Sequence, residues 1–455
     1  MKWFNQFALL FAVLIITLFA ACKKDDIKPD EGNTGYKQYG TPFSNVPAND
    51  DIIMYEVNLR AFSSNGNIKG VIDRLDELKD LGINVIWLMP IHPIGEINSV
   101  NSPYSVKNYK SVSSEYGSLL DLRKLTDEAH SRNMAVIIDW VANHTSWDNS
   151  WINNKSWYTQ DASGNIISPA GTNWADVADL NFDNADMRLA MIDAMKYWVL
   201  EANIDGYRCD YADGIPADFW KQAFDTLAAI PNRDYVLLAE GNRADHFTSG
   251  FDLNFGFDFY GATKNVFNGQ AATTLFTVHN NDYASIPAGK HKLRYSTNHD
   301  ESAWDNTPMV LFNGKKGALA ASVLSVYVGG VPMIYTGQEV GRVSTVPFFS
   351  KSPINWSENP DMLQAYKGFL NFYAQSDIAK RGTSTPYNHF NVACFKKTLN
   401  NESILILTNV RNSAVDFILP NELKNTTWTD ALTNTPVSLG TEIQLDNYQY
   451  LILKQ

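Results

Sequence analysis

Cysteine is scarce in this chain, with 3 residues among 455. That number is too small for the disulfide framework that stabilises small secreted domains. The first cysteine, Cys22, lies in the N-terminal segment, whereas Cys209 and Cys394 fall in different predicted domains. We therefore expect Cys209 and Cys394 to be buried, free thiols that fill apolar space.

Positive charge is also in short supply, with 37 Lys and Arg against 49 Asp and Glu, for a net charge of -12. The resulting field repels phosphate, so nucleic acid and other polyanions are excluded as favoured partners. Hydrophobic residues make up 45% of the chain and charged residues 19%, which is the composition of a globular protein. The aromatic share of 13% leaves rings available for a cleft, where sugars stack through their C–H faces.

No apolar run is long enough for a comfortable membrane span of ~20 residues. The longest covers residues 7–21, is broken only by Thr17, and follows the positive charge of Lys2. This pattern predicts a signal peptide over residues 1–21. Residues 22–50 are polar and rich in Pro, Gly, Asn and Asp, which is typical of a flexible tether.

The end of the apolar run, Leu18-Phe19-Ala20-Ala21-Cys22, resembles the lipobox of bacterial lipoproteins. The resemblance implies that Cys22 receives a lipid and that residues 22–50 form a lipidated tether. The next four residues, Lys23-Lys24-Asp25-Asp26, resemble the acidic export tag of surface lipoproteins in Bacteroidetes-type bacteria. We therefore expect a lipid anchor in the bacterial outer membrane, with the protein facing the cell surface or the periplasm.

Short apolar runs alternate with amphipathic helical patterns from residue 51 to about residue 378. Eight runs predict strands, over residues 52–59, 83–91, 134–141, 204–211, 235–240, 251–259, 292–298 and 331–335. Helical patterns cover residues 68–78, 119–130, 187–198, 217–229, 318–328 and 362–373. The alternation predicts the α/β class and a closed parallel (β/α)8 TIM barrel, formed by residues 51–143 and 181–378.

Two further regions do not follow this alternation of strands and helices. Residues 144–180 are rich in Trp, Asn, Asp and Ser and follow the third strand, where a loop of 2 to 6 residues is usual. We expect them to form an inserted lobe at one wall of a cleft. Residues 379–455 contain β-rich segments separated by Asn, Pro and Gly turns, which predicts a C-terminal antiparallel β domain.

Four of the predicted barrel strands end in an acid. These acids are Asp139, Asp210, Glu240 and Asp300. The carboxyl ends of barrel strands surround one mouth, so the four side chains should converge. A single acid at a strand end is commonly a helix cap, but converging carboxylates perturb one another's pKa, so that one stays protonated while another stays ionised. Glycoside cleavage requires that division between an acid and a nucleophile or base.

The segments around these acids resemble the four signature regions of the α-amylase family, glycoside hydrolase family thirteen. They are Asp139-Trp140-Val141-Ala142-Asn143-His144, Gly206-Tyr207-Arg208-Cys209-Asp210, Leu238-Ala239-Glu240 and Ser296-Thr297-Asn298-His299-Asp300. The resemblance extends over residues 51–455, because the lobe and the terminal β domain match the family's domains B and C. It implies a retaining enzyme, with an α-amylase that cleaves α-1,4 bonds of starch or maltodextrin as the leading interpretation.

The resemblance implies a role for three of the acids. Asp210 matches the nucleophile that forms a covalent glycosyl-enzyme. Glu240 matches the general acid that acts as the base in the second step. Asp300 matches the third carboxylate, which holds sugar hydroxyls and favours ring distortion.

Four other residues match substrate-binding positions of the family. Tyr104 matches the ring that stacks under the sugar, and His144 and His299 match histidines that bind its hydroxyls. Arg208 lies two residues before Asp210 on the same strand, so both side chains point to the same face. We expect the guanidinium to keep that carboxylate ionised.

Asn143 resembles the calcium-binding asparagine of the family, and an amide oxygen is a suitable ligand for this hard cation. The resemblance implies one calcium ion, with further ligands from the lobe; the sequence leaves open whether Asp176 or Asp179 contributes. Asp139 is expected to be structural and to position the loop that carries Asn143 and His144.

The chain departs from the family pattern at Asp213-Gly214, where Lys-His is usual. The exchange removes a positive subsite contact. Candidate sugar platforms are tryptophans in the lobe and one just after Asp300. They are Trp147, Trp151, Trp157, Trp174 and Trp304.

Two alternatives to an α-amylase stay open. One is a neopullulanase, oligo-1,6-glucosidase or transglycosylase that shares the same residues. The other is a surface glycan-binding protein whose barrel captures oligosaccharides without cleaving them. The presence of all three proposed catalytic carboxylates argues against this binder.

Overall fold

The structure is a computed structural model that describes residues 35–455. The predicted signal peptide, Cys22 and the first part of the predicted tether lie outside the described residues. Within residues 35–455, no helix combines the length and the apolar character needed to cross a membrane.

The strands, in chain order, are β1 Met54–Val57, β2 Val85–Leu88, β3 Ala135–Trp140, β4 His144–Ser146, β5 Val177–Asp179, β6 Gly206–Cys209, β7 Val236–Ala239, β8 Leu253–Phe255, β9 His291–Arg294, β10 Val331–Tyr335, β11 Thr383–Tyr387, β12 Val392–Leu399, β13 Glu402–Asn409, β14 Val415–Ile418, β15 Thr426–Asp430, β16 Pro436–Leu439, β17 Glu442–Leu445 and β18 Tyr450–Lys454. The α-helices are Leu59–Phe62, Ile68–Ile72, Leu75–Asp80, Leu119–His130, Ala185–Glu201, Ala217–Ala228, Asp245–Thr248, Phe257–Phe267, Thr273–Tyr283, Pro308–Leu311, Lys315–Tyr327, Pro360–Gln375 and Asp377–Arg381.

Eight parallel strands close into a barrel in the order β1-β2-β3-β6-β7-β8-β9-β10, and β10 pairs with β1. Each strand follows its chain neighbour around the barrel, with helices between most pairs. The predicted (β/α)8 barrel is therefore confirmed. Because all eight strands run in the same direction, their carboxyl ends surround a single mouth.

Side chains along each barrel strand point alternately into the barrel and toward the helices. On β2, Val85 and Trp87 belong to the cluster inside the barrel, whereas Ile86 and Leu88 pack with the surrounding helices. The same period of two explains why the barrel strands read as continuous apolar runs: both of their faces are buried.

On β6 the alternation leaves one charged residue inside the barrel. Tyr207 and Cys209 pack in the outer apolar cluster. Arg208, which lies between them, therefore points inward near the mouth, and its side chain is fully buried. Asp210 follows β6 with the same orientation, as the sequence predicted.

Several predicted elements are wrong in extent; the predicted strand over residues 292–298, for example, ends at Arg294. The predicted strand over residues 251–259 ends at Phe255, and Phe257 begins a helix instead. Gly256 separates them, and a Cβ at this position would lie 2.6 Å from the carbonyl oxygen of Leu293 on β9. The predicted helix over residues 68–78 is divided, because Asp73 and Arg74 interrupt it. Short apolar runs do not distinguish a strand from the first turn of a buried helix.

The inserted lobe lies between β3 and the helix Ala185–Glu201. Its two short strands, β4 and β5, are antiparallel, with His144 opposite Asp179. Short 3-10 helices at Ser150–Asn153 and Lys155–Trp157 lie in the segment between them. The lobe thus begins directly after the strand that carries Asp139.

The C-terminal segment forms antiparallel sheets, as predicted. Six strands pair in the order β11-β12-β13-β18-β15-β16, and β14 pairs with β17. Cys394 on β12 and Cys209 on β6 are both free and buried, which confirms their prediction as apolar fillers.

Candidate active site

One buried cation organises the acids at the mouth of the barrel. Nη1 of Arg208 lies 2.8 Å from Oδ1 of Asp139 and 2.8 Å from Oδ1 of Asp210, and Nη2 lies 2.9 Å from Oε1 of Glu240. The sequence predicted only the pairing with Asp210. Because one planar guanidinium contacts all three carboxylates, it fixes their relative positions.

Burial and the cation act on these carboxylates in opposite directions. Burial raises the pKa of Asp210 to about 6, against the lowering effect of Arg208. Burial raises the pKa of Glu240 to about 7, again against Arg208, with the charges of Asp210 and Asp300 adding to the rise. Two acids that share one cation titrate as a pair, and Glu240 holds its proton to higher pH.

Glu240 is also fixed by the main chain. It follows β7, and its Oε2 accepts a hydrogen bond of 2.7 Å from the N–H of Tyr211. The N–H of Glu240 donates to the carbonyl oxygen of Cys209 at 2.9 Å, which continues the pairing of β6 with β7. The loop after one strand therefore holds the acid that ends the next strand.

Tyr104 and His299 form a second group beside Asp210. Their rings are stacked, with centroids 5.5 Å apart and an interplanar angle of 18°. The Tyr104 hydroxyl lies 2.8 Å from Nε2 of His299 and donates to Oδ2 of Asp139 at 3.1 Å. Asp139 therefore supports Arg208 and Tyr104 directly. Asp300 comes next in the chain, with Oδ2 at 3.5 Å from Nε2 of His299.

The two predicted histidines differ in charge. Burial lowers the pKa of His144 to about 4, so its ring is neutral at pH 7. Burial also opposes the charged form of His299, but the carboxylates of Asp300 and Glu56 outweigh it and raise its pKa to about 9. His299 is therefore an imidazolium whose Nδ1–H faces Glu56 and whose Nε2–H faces the Tyr104 hydroxyl.

Glu56 and Trp87 are site residues that the sequence reading missed. Oε1 of Glu56 lies 2.5 Å from Nδ1 of His299, and the indole N–H of Trp87 donates to Oδ2 of Asp139 at 3.2 Å. The sequence could have identified Glu56 as a site residue, because it is a charged residue inside the apolar run that forms β1. The sequence could not have identified Trp87 in this way, since tryptophan is common among the core residues of a buried strand.

The lobe supplies the opposite wall of the site. The ring of His144 contacts Trp174 edge to face at 5.5 Å, and Trp174 contacts Tyr211 in the same way at 5.3 Å. Of the five candidate platforms, Trp174 and Trp304 line the cavity. Trp151 and Trp157 instead pack against each other and the apolar core.

These groups enclose a cleft of about 730 Å³ between the barrel mouth and the lobe. All three proposed catalytic carboxylates line it, together with Tyr104, both histidines and the rings of Phe257, Phe348 and Phe349. Asp176 and Asp213 add two further acids to its wall. None of the described lining residues is Lys or Arg.

The calcium ion implied by Asn143 stays a prediction. In the described part of the chain, no three His, Cys, Asp or Glu side chains are grouped so that they could hold a metal ion. The Asn143 amide nitrogen lies 3.2 Å from Nδ1 of His144, and Asp179 is paired opposite His144 in the lobe sheet. Calcium here would therefore need amide and main-chain oxygens, and no chemical step depends on it.

Known proteins are similar along most of the chain. Residues 26–166 and 171–398 match the family profile described as alpha amylase, catalytic domain. Alpha-amylase 3 of Dictyoglomus thermophilum is 26% identical over 84% of this chain and 89% of its own length. Neopullulanase 2 of Thermoactinomyces vulgaris is 24% identical over 82% of this chain and 67% of its own length.

The fold is shared with solved structures as well. The crystal structure of an alpha-amylase from Lactobacillus plantarum superposes with a TM-score of 0.80 at 26% identity, over 89% of this chain and 99% of that chain. The profile covers well over half of the sequence, including the barrel strands that carry the clustered acids. The chain belongs to the α-amylase family and is a glycoside hydrolase.

Proposed function

We propose that this protein is a retaining α-amylase that cleaves α-1,4-glucosidic bonds of starch or maltodextrin by double displacement. The observation that carries the proposal is the bridge of Arg208 between Asp210 and Glu240, at 2.8 and 2.9 Å. One guanidinium contacts both carboxylates only if they lie close together. The bridge thus supports a paired nucleophile and acid, and the retaining mechanism, in which the two carboxyl groups are ~5–5.5 Å apart, is proposed from membership of the family.

In the first step, Asp210 attacks the anomeric carbon while the protonated Glu240 gives its proton to the glycosidic oxygen. The bond from the anomeric carbon to that oxygen breaks, and the leaving glucan departs with a free hydroxyl. In the second step, Glu240 takes a proton from water, the water oxygen attacks the anomeric carbon, and Asp210 is released. Two inversions give net retention.

The remaining residues orient the sugar. Tyr104 is held by Asp139 and stacked on His299, so its ring is fixed beside Asp210 as a platform for the transferred sugar. The charged His299 can share its Nε2–H between the Tyr104 hydroxyl and a sugar hydroxyl, and the neutral His144 contributes from the lobe side. Asp300 accepts hydrogen bonds from hydroxyl groups.

The charge of the cleft favours a neutral substrate. Five acids line the cavity, and no Lys or Arg is among its described lining residues. A phosphorylated sugar would meet repulsion from these five carboxylates, and the one cationic group among the described lining residues, His299, is already paired with Glu56 and Asp300. An uncharged α-glucan, with hydroxyls for the acids and C–H faces for the rings, fits this lining.

Removal of either proposed catalytic carboxylate should abolish turnover and leave binding intact. We expect Asp210→Ala and Glu240→Gln each to lower reducing-sugar release from soluble starch by several orders of magnitude, while retention on a starch affinity gel survives. Glu402→Gln removes an exposed carboxylate in the β domain and should keep the wild-type rate. Wild-type release by either cleft variant would refute the assignment.

The pH dependence of kcat/KM should be bell-shaped. Asp210 must be ionised, so activity should fall as the pH drops below about 6, and Glu240 must be protonated, so activity should fall as the pH rises above about 7. Rates measured from pH 4 to 9 on a short maltooligosaccharide check this expectation. A profile with no alkaline limb below pH 9 would contradict the role of Glu240.

The products released from different glucans show which linkage the enzyme cleaves. We expect maltooligosaccharides from amylose and no release of glucose from isomaltose, as measured by chromatography of the digests. Rapid cleavage of the α-1,4 bonds of pullulan would favour the neopullulanase alternative, which the similarity to Neopullulanase 2 keeps open. Hydrolysis of isomaltose at a rate comparable with amylose would replace the α-1,4 assignment with α-1,6.

We also propose that Cys22 carries a lipid that anchors the enzyme in the bacterial outer membrane. Support comes from the apolar run over residues 7–21, from the small residues Ala20 and Ala21 before the cysteine, and from the polar segment that follows. An extracellular anchor suits an enzyme whose polymer substrate is too large to cross a membrane.

Labelling of growing cells with palmitate tests the anchor. The wild-type protein and a Cys394→Ala control should incorporate the label, whereas Cys22→Ala should not. Absence of label in the wild type, or label that persists in Cys22→Ala, would rule out lipidation at this residue.

A further inference from the structure

Glu56 is a charged residue inside the barrel that neither chemical step uses. Its neighbours on β1, Tyr55 and Val57, pack with the outer apolar cluster, so the side chain of Glu56 points inward. The residue is fully buried, and its Oε2 atom has no hydrogen-bond partner among the described residues. A buried carboxylate oxygen without a partner is costly, so a charge at this position calls for a physical reason.

His299 connects Glu56 to the centre of the site. Its Nδ1 lies 2.5 Å from Oε1 of Glu56, and its Nε2 lies 2.8 Å from the Tyr104 hydroxyl. That hydroxyl donates to Oδ2 of Asp139 at 3.1 Å, and Oδ1 of Asp139 accepts from Arg208 at 2.8 Å. A continuous chain of hydrogen bonds therefore runs from Glu56 to the guanidinium that holds the acids.

The charge of the imidazole sets the direction of this chain. When both ring nitrogens of His299 carry a proton, Nδ1 donates to Glu56 and Nε2 donates to the Tyr104 hydroxyl. The hydroxyl proton is then directed to its remaining acceptor, Asp139. A neutral ring with its proton on Nδ1 leaves Nε2 as an acceptor, which competes with Asp139 for the hydroxyl proton. Loss of the charge on the ring would thus weaken the contact that holds Tyr104.

Two carboxylates act on the charge of His299, and they differ in exposure. Burial opposes the charged form, but Asp300 and Glu56 raise the pKa of His299 to about 9, against the further opposition of Arg208. The Asp300 side chain is 45% exposed, so water and salt screen its effect, whereas Glu56 is fully buried. The titratable groups around the His299–Glu56 pair are Arg208 on β6, Asp139 on β3, Tyr335 on β10, Tyr104 after β2, and Tyr295 and Asp300 after β9.

A neutral side chain would form the same hydrogen bond at lower cost. Glutamine has nearly the shape of Glu56 and would pair with Nδ1 of His299 without the removal of a charge from water. A carboxylate, however, attracts a charged ring strongly where water is excluded. The benefit of glutamate over glutamine at this position is therefore the charge that it maintains on His299.

We propose that Glu56 is a positioning residue for hydrolysis: its carboxylate keeps His299 charged, and the charged ring directs the Tyr104 hydroxyl to Asp139. This inference rests on the proposed function and adds to it a residue that touches no substrate. Tyr104, the platform beside Asp210, is then held in one orientation. Without Glu56 the ring would lose its proton at lower pH, so the defect should grow as the pH rises.

Glu56→Gln tests the proposal, because it removes the charge and keeps the shape. We expect kcat/KM for maltotetraose to stay within about threefold of the wild-type value at pH 5, where the ring is protonated in both proteins, and to be at least about tenfold lower at pH 7.5. The matched control is Glu339→Gln. It removes a second buried carboxylate, which accepts from the Tyr55 hydroxyl at 2.7 Å outside the cleft, and should keep the wild-type rate at both pH values.

Nuclear magnetic resonance of protein labelled with 15N-histidine measures the charge of the ring without turnover. The signals of His299 are identified by their absence from His299→Gln. At pH 7.5 both ring nitrogens should carry protons in the wild type and in Glu339→Gln, whereas one nitrogen should be unprotonated in Glu56→Gln.

A neutral His299 ring in the wild type at pH 7.5 would overturn the proposal, and this measurement decides the outcome even if Glu56→Gln does not fold. A ring that stays charged in Glu56→Gln would overturn it as well, because the carboxylate would then be unnecessary. An equal loss of activity at pH 5 and pH 7.5 would leave Glu56 with a structural role only. Failure of the proposed function looks different: the wild type would not hydrolyse maltotetraose, whereas its ring signals would be as expected.

Discussion

The guanidinium of Arg208 is fully buried and contacts three carboxylates, and the geometry of the barrel mouth depends on that contact. A buried cation is costly unless its charge is compensated, and each buried carboxylate has the same requirement. Loss of one partner from such a cluster costs ~3–5 kcal/mol, since the others are left uncompensated. The acids are therefore held in place by a mutual requirement for charge balance. The barrel meets that requirement by bringing β3, β6 and β7 side by side.

Burial alone does not decide the protonation states in this site. Burial raises the pKa of Asp210 and of Glu240 and Arg208 lowers both, and Glu240 keeps the higher pKa of the two. The two histidines show the same competition. His144 is made neutral by burial, whereas His299 is kept charged because Asp300 and Glu56 lie close to it. Nearby charges therefore give different pKa values to groups of the same type that are equally buried.

The cleft has rings on both sides of the acids, and they come from different parts of the chain. Tyr104 stacks on His299 near Phe348, whereas Trp174 reaches Tyr211 from the lobe. The lobe thus completes the site as well as covering it. Its strands begin immediately after β3, so the element that carries Asp139 also fixes the direction in which the lobe starts.

The sequence by itself determined the architecture and the identity of the acids. Apolar periodicity is a local property, so it located the eight barrel strands, and the parallel barrel then required the acids at their ends to converge. Apolar periodicity did not separate the strand that ends at Phe255 from the helix that begins at Phe257, since the first residues of that helix continue the apolar run. Only the tertiary structure decided which groups share a charge or a ring contact. Glu56 and His299 are 243 residues apart, and the ring of Tyr211 is placed by a left-handed backbone and by the space above Gly214. Such contacts depend on how the closed barrel and its lobe meet, so the apolar periodicity of the sequence does not predict them.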